Sequence, residues 1–300
     1  MKAFLLAAGY GERLKPITDT IPKPLVPVLN VPVICYSLML LKEAGICDVM
    51  CNLHYRHGQI LDFFKQHQYF GLNMEFSIED RILGTGGGLL KCREYFQDGP
   101  FVYINSDIIA DIDLSDLVKK YDSAHLNGSL AVAPSSIGTV VAQGDRIVNL
   151  RNLLHTDRKP EYDFIGAAVL SVDIFKHLRS GYSDIVETGF IELAGEGKLG
   201  FYEHGGEWHD IGSIESYRNT NIKLIGTDYI FRKRLYTATG MIPQALSDSA
   251  RIDNAFINRS VIGEGCIVDD DAVVEESVLL PAAHVLSGEK VIRKVVIQAG

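Results

Sequence analysis

The chain of 300 residues is 47% hydrophobic, which is enough for one large core or for a large core with a smaller second unit. Its 29 lysines and arginines and 38 aspartates and glutamates give a net charge of −9, which argues against a protein that coats nucleic acid or anionic lipid. Five cysteines without the spacing of a disulfide framework are typical of a reducing compartment. We therefore expect a cytoplasmic protein without nucleic-acid or membrane partners.

Short apolar runs alternate with segments of helical period in the first two thirds of the chain. The runs "KAFLLAA", "DVMCNLHY", "NMEFSIE", "FVYINSD" and "GSLAVAP" are separated by stretches such as "VICYSLMLLKEAG" and "LSDLVKKYDSAH". This alternation is typical of βαβ units, and strands that are apolar on both faces favour a parallel sheet covered by helices. The first run is shorter than the apolar segment of a secretion signal, and no later run is long enough to span a bilayer. We predict a doubly wound α/β domain with ligands at the carboxyl ends of its strands.

A glycine turn follows the first predicted strand. Gly9 and Gly11 can bring bare backbone N–H groups close to a ligand at this strand end. Arg13 could hold phosphate oxygens with two hydrogen bonds, and Lys23, which lies between two prolines, could add a second positive charge. A dinucleotide fingerprint is excluded because position 14 is leucine, and a Walker loop is excluded because "GERL" stands where Gly-Lys-Ser/Thr is needed. The stretch therefore predicts a cradle for a polyphosphate.

Aliphatic pairs recur every six residues near the C-terminus. Neither a helix nor a hairpin has this period, whereas a parallel β-helix of about two coils has it, with one aliphatic side chain of each strand pointing inward. An ordinary β-rich tail is the alternative. The predicted domain boundary lies near residue 240, after a helical stretch at about 213–233, which gives domains 1–240 and 241–300. The pairs are Val261-Ile262, Ile267-Val268, Val273-Val274, Leu279-Leu280, Val285-Leu286 and Val291-Ile292.

Five segments together resemble the sugar-1-phosphate nucleotidyltransferases, the nucleotide-sugar pyrophosphorylases. They are "LLAAGYGERLKPITDTIPKPLVPV" (5–28), "EDRILGTGGGLL" (79–90), "FVYINSD" (101–107), "DFIGAAVL" (163–170) and "EWHDIG" (207–212). The tail is similar to that of family members with a C-terminal left-handed β-helix, such as mannose-1-phosphate guanylyltransferases. The resemblance covers essentially the whole chain, and its first motif and "WHDIG" are the specific ones. It implies a Rossmann-like nucleotidyltransferase domain followed by a short left-handed parallel β-helix.

The resemblance also implies a reaction and a set of site residues. In this family an oxygen of a sugar 1-phosphate attacks the α-phosphorus of a nucleoside triphosphate (NTP), and pyrophosphate leaves. The phosphate nucleophile is already ionised, so the reaction needs Mg²⁺ and cations to bring two anions together rather than a general base. By motif match Asp107 and Asp210 hold Mg²⁺, and Arg13 and Lys23 act on the phosphates, although Asp107 alone could also be a turn cap. The implied nucleotide-binding residues are Leu6, Ala8, Gly9, Gly11, Arg13, Glu79, Gly84 and Thr85.

Glu79 carries the expectation about the base. It lies five residues before Gly84, where several uridylyl- and thymidylyl-transferring relatives have glutamine. A carboxylate suits the adjacent N1–H and N2–H₂ donors of guanine better than the mixed edge of uracil. We therefore predict GTP as the nucleotide, with a uridylyl- or thymidylyltransferase as the alternative. A glutamate that is exposed at a strand end without reading a base is the other interpretation of this residue.

The sugar side of the site departs from the family pattern. Gly166 matches the family glycine whose backbone meets the sugar, and Glu187 is a candidate ligand of a sugar hydroxyl. The family's Glu-Lys-Pro stretch, whose lysine holds the sugar phosphate, is replaced by "VNLRNLLHTDRKPEY". Arg151, by position, or Lys159, by its following proline, could take over this function. We expect a mannose-like or heptose-like sugar 1-phosphate.

Two other classes of protein, a regulatory homologue and an acyltransferase, fit the sequence less well than the nucleotidyltransferase. A silent regulatory homologue would be free to lose Arg13, Lys23, Asp107 or Asp210, but the chain retains all four. A hexapeptide acyltransferase would need more than about two coils for its site and would leave the N-terminal domain unexplained. We expect the tail to assemble a homo-oligomer. Six further side chains are assigned structural roles as core thiols, hydrogen-bonded histidines and solvated turn residues: Cys47, Cys51, His54, His57, Asp111 and Asp113.

Overall fold

The computed structural model describes residues 1–227 and 229–297. The chain packs as two compact units, the first of Met1–Gly9 and Leu40–Trp208 and the second of Tyr10–Met39 and His209–Gly300. This division groups residues 10–39 with the C-terminal part of the chain. The predicted limits 1–240 and 241–300 refer to a boundary along the sequence rather than to packing, and they stay a prediction.

Strands and helices alternate along the first two thirds of the chain, and short strands follow. The strands are β1 (Lys2–Leu6), β2 (Pro27–Val28), β3 (Val31–Pro32), β4 (Asp48–Leu53), β5 (Asn73–Ile78), β6 (Phe101–Asn105), β7 (Ile109–Ala110), β8 (Gly128–Pro134), β9 (Val140–Gln143), β10 (Arg146–Leu150), β11 (Tyr162–Leu170), β12 (Leu199–Glu203), β13 (Trp208–His209), β14 (Arg251–Ile252), β15 (Phe256–Asn258), β16 (Val261–Ile262), β17 (Ile267–Val268), β18 (Val273–Glu275), β19 (Val278–Leu279), β20 (His284–Val285), β21 (Lys290–Ile292) and β22 (Val295–Val296). The α-helices are α1 (Ile34–Glu43), α2 (His57–Gln66), α3 (Gly84–Lys91), α4 (Leu114–Ser123), α5 (Ile191–Gly195), α6 (Ile214–Leu224) and α7 (Tyr229–Thr239). Within residues 1–227 and 229–297, none of the helices is long and apolar enough to cross a bilayer.

The first unit is built on a nine-stranded sheet with the order β5-β4-β1-β6-β11-β8-β12-β10-β9. The four strands β5, β4, β1 and β6 are parallel, as predicted for βαβ units. Beyond them the sheet is mixed, because β11 runs antiparallel to both β6 and β8. Along the chain, the short strands β9 and β10 lie between β8 and β11, and β12 runs parallel to β8. The α/β class is therefore confirmed, but the predicted parallel sheet forms only one half of it.

The register of the parallel strands fixes where a ligand site can form. Leu6, the last residue of β1, pairs with Asn52 on one side and with Asn105 on the other. The interior of β1 is fully buried, and its Phe4 ring lies 6.0 Å from the ring of Tyr103. The carboxyl ends of β1, β4 and β6 therefore lie side by side at one edge of the sheet, where ligands of doubly wound sheets bind.

The second unit ends in a parallel β-helix. Three ladders of three parallel strands form its faces: β14-β17-β20, β15-β18-β21 and β16-β19-β22. Each face thus has three strands, one more than the two coils expected. Val261 pairs with Val278, and Ile267 pairs with His284, so these coils take 17 residues, whereas the first step of the β14-β17-β20 ladder, from Arg251 to Ile267, takes 16. Within these strands, the side chains buried in the core of the β-helix are Ile262, Val268, Val274, Leu279, Val285 and Val291.

The spacing of the inward side chains departs from the six-residue period of the aliphatic pairs. The step from Val274 to Leu279 is five residues, so the inward position changes from the second to the first member of the aliphatic pair. The corners of the coils use left-handed backbone, with a φ of 41° at Arg259, 44° at Glu276 and 53° at Arg293. These three residues lie 17 positions apart. The coil rather than the hexapeptide is therefore the repeating unit of the tail.

The five cysteines are all free. Cys51 is buried as predicted, and burial raises the pKa of its thiol far above the ordinary range. Burial likewise raises the pKa of Cys35. Cys47 is exposed, so its prediction as a core thiol is wrong: it directly precedes β4 instead of lying within the strand.

Candidate active site

Gly11, which belongs to the second unit, packs directly on the side chain of Lys23. Gly11 has a left-handed φ of 67°, and a Cβ atom there would lie 2.8 Å from Cγ2 of Thr18 and 3.1 Å from Cβ of Lys23. The hydroxyl of Thr18 donates a hydrogen bond of 2.9 Å to the carbonyl oxygen of Gly11. Only glycine combines this backbone angle with this close approach. The backbone of Gly11 therefore packs against the start of the side chain of Lys23, the predicted phosphate cation.

Arg13 and Asp210 meet beside Gly212 in the same unit. A Cβ atom on Gly212 would lie 3.0 Å from Nη2 of Arg13 and 3.0 Å and 3.1 Å from the two carboxylate oxygens of Asp210. The N–H of Gly212 donates a hydrogen bond of 2.9 Å to Oδ1 of Asp210, and the hydroxyl of Thr220 donates to the Asp210 carbonyl oxygen at 3.0 Å. Arg13 and Asp210 are both exposed. The structure thus brings together a cation and a carboxylate that were predicted independently from two motifs.

Asp107 and Gly166 lie on neighbouring strands of the first unit. Asp107 is half-buried and follows β6 by two residues. Gly166 has a φ of 90° within β11, at the point where its register with β8 shifts, and a Cβ atom there would lie 2.9 Å from Nδ2 of Asn105. The predicted metal ligand and the predicted sugar-binding glycine therefore belong to the same corner of the sheet.

Three predicted nucleotide residues lie at the carboxyl end of β1. Leu6 is half-buried, Ala8 is buried and Gly9 is exposed. The N–H of Ser106, next to Asp107, donates a hydrogen bond of 3.1 Å to the carbonyl oxygen of Leu6. This bond extends the pairing of β1 and β6 up to the residue before Asp107.

Glu79 is buried, with 3% of its surface exposed. Its Oε1 accepts a hydrogen bond of 2.8 Å from Nδ2 of Asn52, and its Oε2 accepts one of 2.8 Å from the N–H of Leu83. The interpretation of Glu79 as an exposed strand-end residue is therefore wrong, because the side chain turns inward to these donors. Its assignment as the reader of guanine stays a prediction.

The glycine run starts α3 and packs tightly on residues 181–185. The N–H of Gly86 donates to the carbonyl oxygen of Ser183 at 2.8 Å, and a Cβ atom on Gly84 would lie 2.5 Å from the same oxygen. The hydroxyl of Thr85 accepts a hydrogen bond of 2.8 Å from the N–H of Ile185. The glycines are therefore needed for close packing here, and Thr85 anchors the neighbouring segment.

The candidates for the sugar side lie around the same segment. Arg151 is exposed, and its Nη1 lies 3.4 Å from Oδ2 of Asp184. Glu187 is exposed in the π-helical turn Val186–Phe190. Lys159 lies in an exposed connection before β11. The ion pair links Arg151, but not Lys159, to the segment that packs on the glycine run.

Several site residues were missed or misassigned from the sequence. Asp113 caps α4 by accepting a hydrogen bond from the N–H of Asp116, whereas Asp111 is not a solvated turn residue. Its Oδ1 lies 3.0 Å from Nε2 of the buried His204, a close contact without good hydrogen-bond alignment. The missed residues of the site are Thr18, Asn52, Ser183, Asp184 and Gly212. Of these, only Asn52 left a clear signal, as a polar residue within the apolar run "DVMCNL".

The two histidines after β4 are hydrogen-bonded as predicted. Nδ1 of His54 lies 2.7 Å from the carbonyl oxygen of Glu79, and Nδ1 of His57 lies 3.1 Å from that of His54. Among residues 1–227 and 229–297, no three His, Cys, Asp or Glu side chains form a group that could hold a metal ion. The predicted ligands Asp107 and Asp210 belong to different units, and each offers the carboxylate oxygens that Mg²⁺ prefers.

Two family models match the chain, consistent with this site. A nucleotidyl transferase model matches residues 2–140, and a GlmU-like C-terminal hexapeptide model matches residues 231–300. The chain therefore has a nucleotidyl transferase region followed by a GlmU-like C-terminal hexapeptide region, as the resemblance of its motifs implies.

Individual relatives differ in the nucleotide they are named for. A UTP–glucose-1-phosphate uridylyltransferase of Synechocystis sp. is 28% identical over 99% of this chain and 87% of its own length. A probable mannose-1-phosphate guanylyltransferase of Oryza sativa subsp. japonica is 29% identical over 97% of this chain and 82% of its own. A crystal structure of UDP-glucose pyrophosphorylase with UDP-glucose superposes with a TM-score of 0.63 at 20% identity, over 75% of this chain and 98% of that one. At this identity the structural match shows the fold alone.

Proposed function

We propose that the protein transfers a nucleoside monophosphate from an NTP, with GTP preferred, to a mannose-like or heptose-like sugar 1-phosphate. An oxygen of the sugar phosphate forms the new bond to the α-phosphorus, and the bond from that phosphorus to the departing pyrophosphate breaks. Pyrophosphate keeps the electron pair, so the products are an NDP-sugar and pyrophosphate. The observation that supports the proposal best is the packing of Gly212 against both Arg13 and Asp210, since it places a phosphate cation beside a carboxylate of the specific "WHDIG" motif.

The chain's own residues bind and orient the phosphates in this proposal. Arg13 and Lys23 hold the triphosphate and offset the charge that develops on the leaving group. Mg²⁺, when held by Asp107 and Asp210, would screen the negative charge of the reacting phosphates. Gly166 and Glu187 contact the sugar, and Arg151 holds its phosphate in place of the family lysine. Its contact with Asp184 favours Arg151 over Lys159 for this position.

The preference for GTP is supported by relatives. Relatives from rice, Candida glabrata and Schizosaccharomyces pombe are named as mannose-1-phosphate guanylyl- or guanyltransferases. The Synechocystis relative supports uridylyl transfer as the second candidate. Glu79 gives weaker support than its sequence context suggests, because both of its carboxylate oxygens already accept hydrogen bonds.

A pyrophosphate-release assay decides between these candidates. The full chain is incubated with Mg²⁺, each of the five common NTPs and a panel of sugar 1-phosphates. We expect the highest kcat/KM with GTP and a mannose-like or heptose-like sugar 1-phosphate. A preference for UTP or dTTP would make the second candidate correct. No pyrophosphate release with any pair would instead favour a silent regulatory homologue.

We also propose that the protein is a cytoplasmic homo-oligomer assembled through its β-helix. The free thiols support a reducing compartment. Phe256 on the β-helix is 59% exposed and Leu286 is 58% exposed, which supports a contact surface there. The mass of the full chain in solution tests the assembly.

A further inference from the structure

A buried chain of hydrogen bonds connects the end of β1 with the start of α3. The N–H of Ala7 donates to Oδ1 of Asn52 at 2.9 Å, and Nδ2 of the same amide donates to Oε1 of Glu79 at 2.8 Å. Oε2 of Glu79 accepts from the N–H of Leu83 at 2.8 Å. Asn52 is fully buried and Glu79 is 3% exposed. Two side chains therefore join two backbone segments that are far apart in the sequence.

The residues around Asn52 and Glu79 leave these two side chains little room to move. A Cβ atom on Gly88 would lie 2.6 Å from Oε1 of Glu79 and 2.7 Å from Nδ2 of Asn52, so α3 closes directly over the bond between them. Nδ1 of His54 lies 2.7 Å from the carbonyl oxygen of Glu79 on the other side. A displacement of either side chain therefore moves backbone at a predicted nucleotide-binding segment.

The donor and acceptor groups fix the direction of this series of hydrogen bonds. A backbone N–H can only donate and a carboxylate can only accept, so the amide of Asn52 must turn its oxygen to Ala7 and its nitrogen to Glu79. Both ends of the chain are donors, and one amide and one carboxylate between them match every group. With glutamine in place of Glu79, two amides separate the two N–H groups, and one donor must face another donor whichever amide turns.

We propose that Asn52 and Glu79 are positioning residues that hold Ala7–Gly9 and the start of α3 at a fixed separation, and that this separation sets the affinity for the NTP. The inference rests on the proposed function, because both segments contain residues that the sequence predicts to bind the nucleotide of that reaction. Glu79 then acts on the nucleotide through the backbone of Leu83 and Gly84 rather than by contacting the base. The preference between GTP and UTP should consequently be the same whether the carboxylate is at position 79 or at position 52.

A double substitution tests this role, because it reverses the two side chains without changing the number of bonds. Glu79→Gln leaves two donors facing each other, and Asn52→Asp leaves two carboxylates facing each other. In the combined variant, the new carboxylate at position 52 accepts from Ala7 and from the new amide at position 79, whose oxygen accepts from Leu83. Because an unmatched buried group shifts an equilibrium by about tenfold, each single variant should raise the KM for the NTP about tenfold or more. The combined variant should recover most of that loss.

The matched control is Glu275→Gln in the β-helix. Nδ2 of Asn258 donates to Oε1 of Glu275 at 3.1 Å, and the glutamine oxygen can accept the same bond, so this substitution removes the charge from an Asn–Glu pair away from the nucleotide segments without leaving two donors facing each other. The readouts are the melting temperature, calorimetric binding of GTP and UTP, and separate KM values for the NTP and the sugar 1-phosphate. We expect the control to leave all binding constants unchanged, and the KM for the sugar 1-phosphate to stay constant in every variant.

The outcomes separate this inference from the proposed function. Recovery of both the melting temperature and NTP binding in the combined variant, with the wild-type ratio of GTP to UTP binding, supports positioning. Recovery of the melting temperature without NTP binding overturns it, as does loss of the nucleotide ratio, which would assign Glu79 to the base. Nucleotide binding without pyrophosphate release in the wild type would refute only the proposed function, because the binding comparison still decides the role of the pair.

Discussion

Replacing Gly11 with alanine adds one methyl group where the glycine turn packs on Thr18 and Lys23. The left-handed backbone at a φ of 67° costs alanine about 1–2 kcal/mol. The new Cβ atom would also lie 2.8 Å from Cγ2 of Thr18, which is fully buried and cannot move aside freely. Overpacking of this kind adds about 1–3 kcal/mol, so the free energy of unfolding should fall by roughly 2–5 kcal/mol.

Gly45 provides the matched control for this substitution. Its φ is 70°, and a Cβ atom there would have nothing within 4 Å, so Gly45→Ala carries the backbone cost without the contact. Urea unfolding followed by circular dichroism should give a loss of about 1–2 kcal/mol for Gly45→Ala. Pyrophosphate release should fall about tenfold or more in Gly11→Ala, because Lys23 is displaced, and stay close to wild type in Gly45→Ala. Equal stability and equal activity of the two variants would refute the argument that the turn positions Lys23.

Three further predictions concern the charged groups and the tail. Asp107→Asn and Asp210→Asn should each lower kcat by about a hundredfold at saturating Mg²⁺ with an unchanged circular dichroism spectrum, because each removes a charged oxygen ligand; near-normal turnover would exclude that residue as a ligand. Arg13→Ala should raise the KM for the NTP far more than the KM for the sugar 1-phosphate in steady-state kinetics, and the reverse pattern would mean that the two substrates are exchanged in our assignment. Phe256→Glu should lower the mass measured by light scattering without lowering the melting temperature, because a charge would enter the proposed contact surface; an unchanged oligomer would place the contact elsewhere.

The class of fold could be predicted from periodicity, but the direction of some strands could not. The parallel half of the first sheet follows from apolar runs separated by helical segments. The run "YDFIGAAVL" of β11 is as buried as a parallel strand, yet it is antiparallel to both neighbours. Burial on both faces depends on what covers the strand and is independent of its direction. In the tail, either member of an aliphatic pair can face inward, so the pairs conceal the five-residue step from Val274 to Leu279.

The charged site residues could be predicted because they belong to specific motifs, but their supporting contacts could not. Arg13 and Asp210 come from motifs almost 200 residues apart, and the sequence contains no signal that Gly212 lies beside both. The alternative interpretation of Glu79 as an exposed residue depended only on its position after a strand end. Its burial depends on Asn52, a partner 27 positions away, and such long-range pairing is not visible in local composition.

Because the β-helix is built from coils, the length of the tail can change only in steps of one coil. Since 17 residues return the chain to the same corner, a duplication of residues 260–276 would add one complete coil and lengthen the stack by about 4.8 Å. An insertion of a single residue within a strand would instead turn every following side chain to the opposite face up to the next corner. Natural or engineered tails should therefore vary in length by whole coils, or by loops inserted at corners such as Arg259 and Glu276. The number of coils then sets the distance that the tail spans.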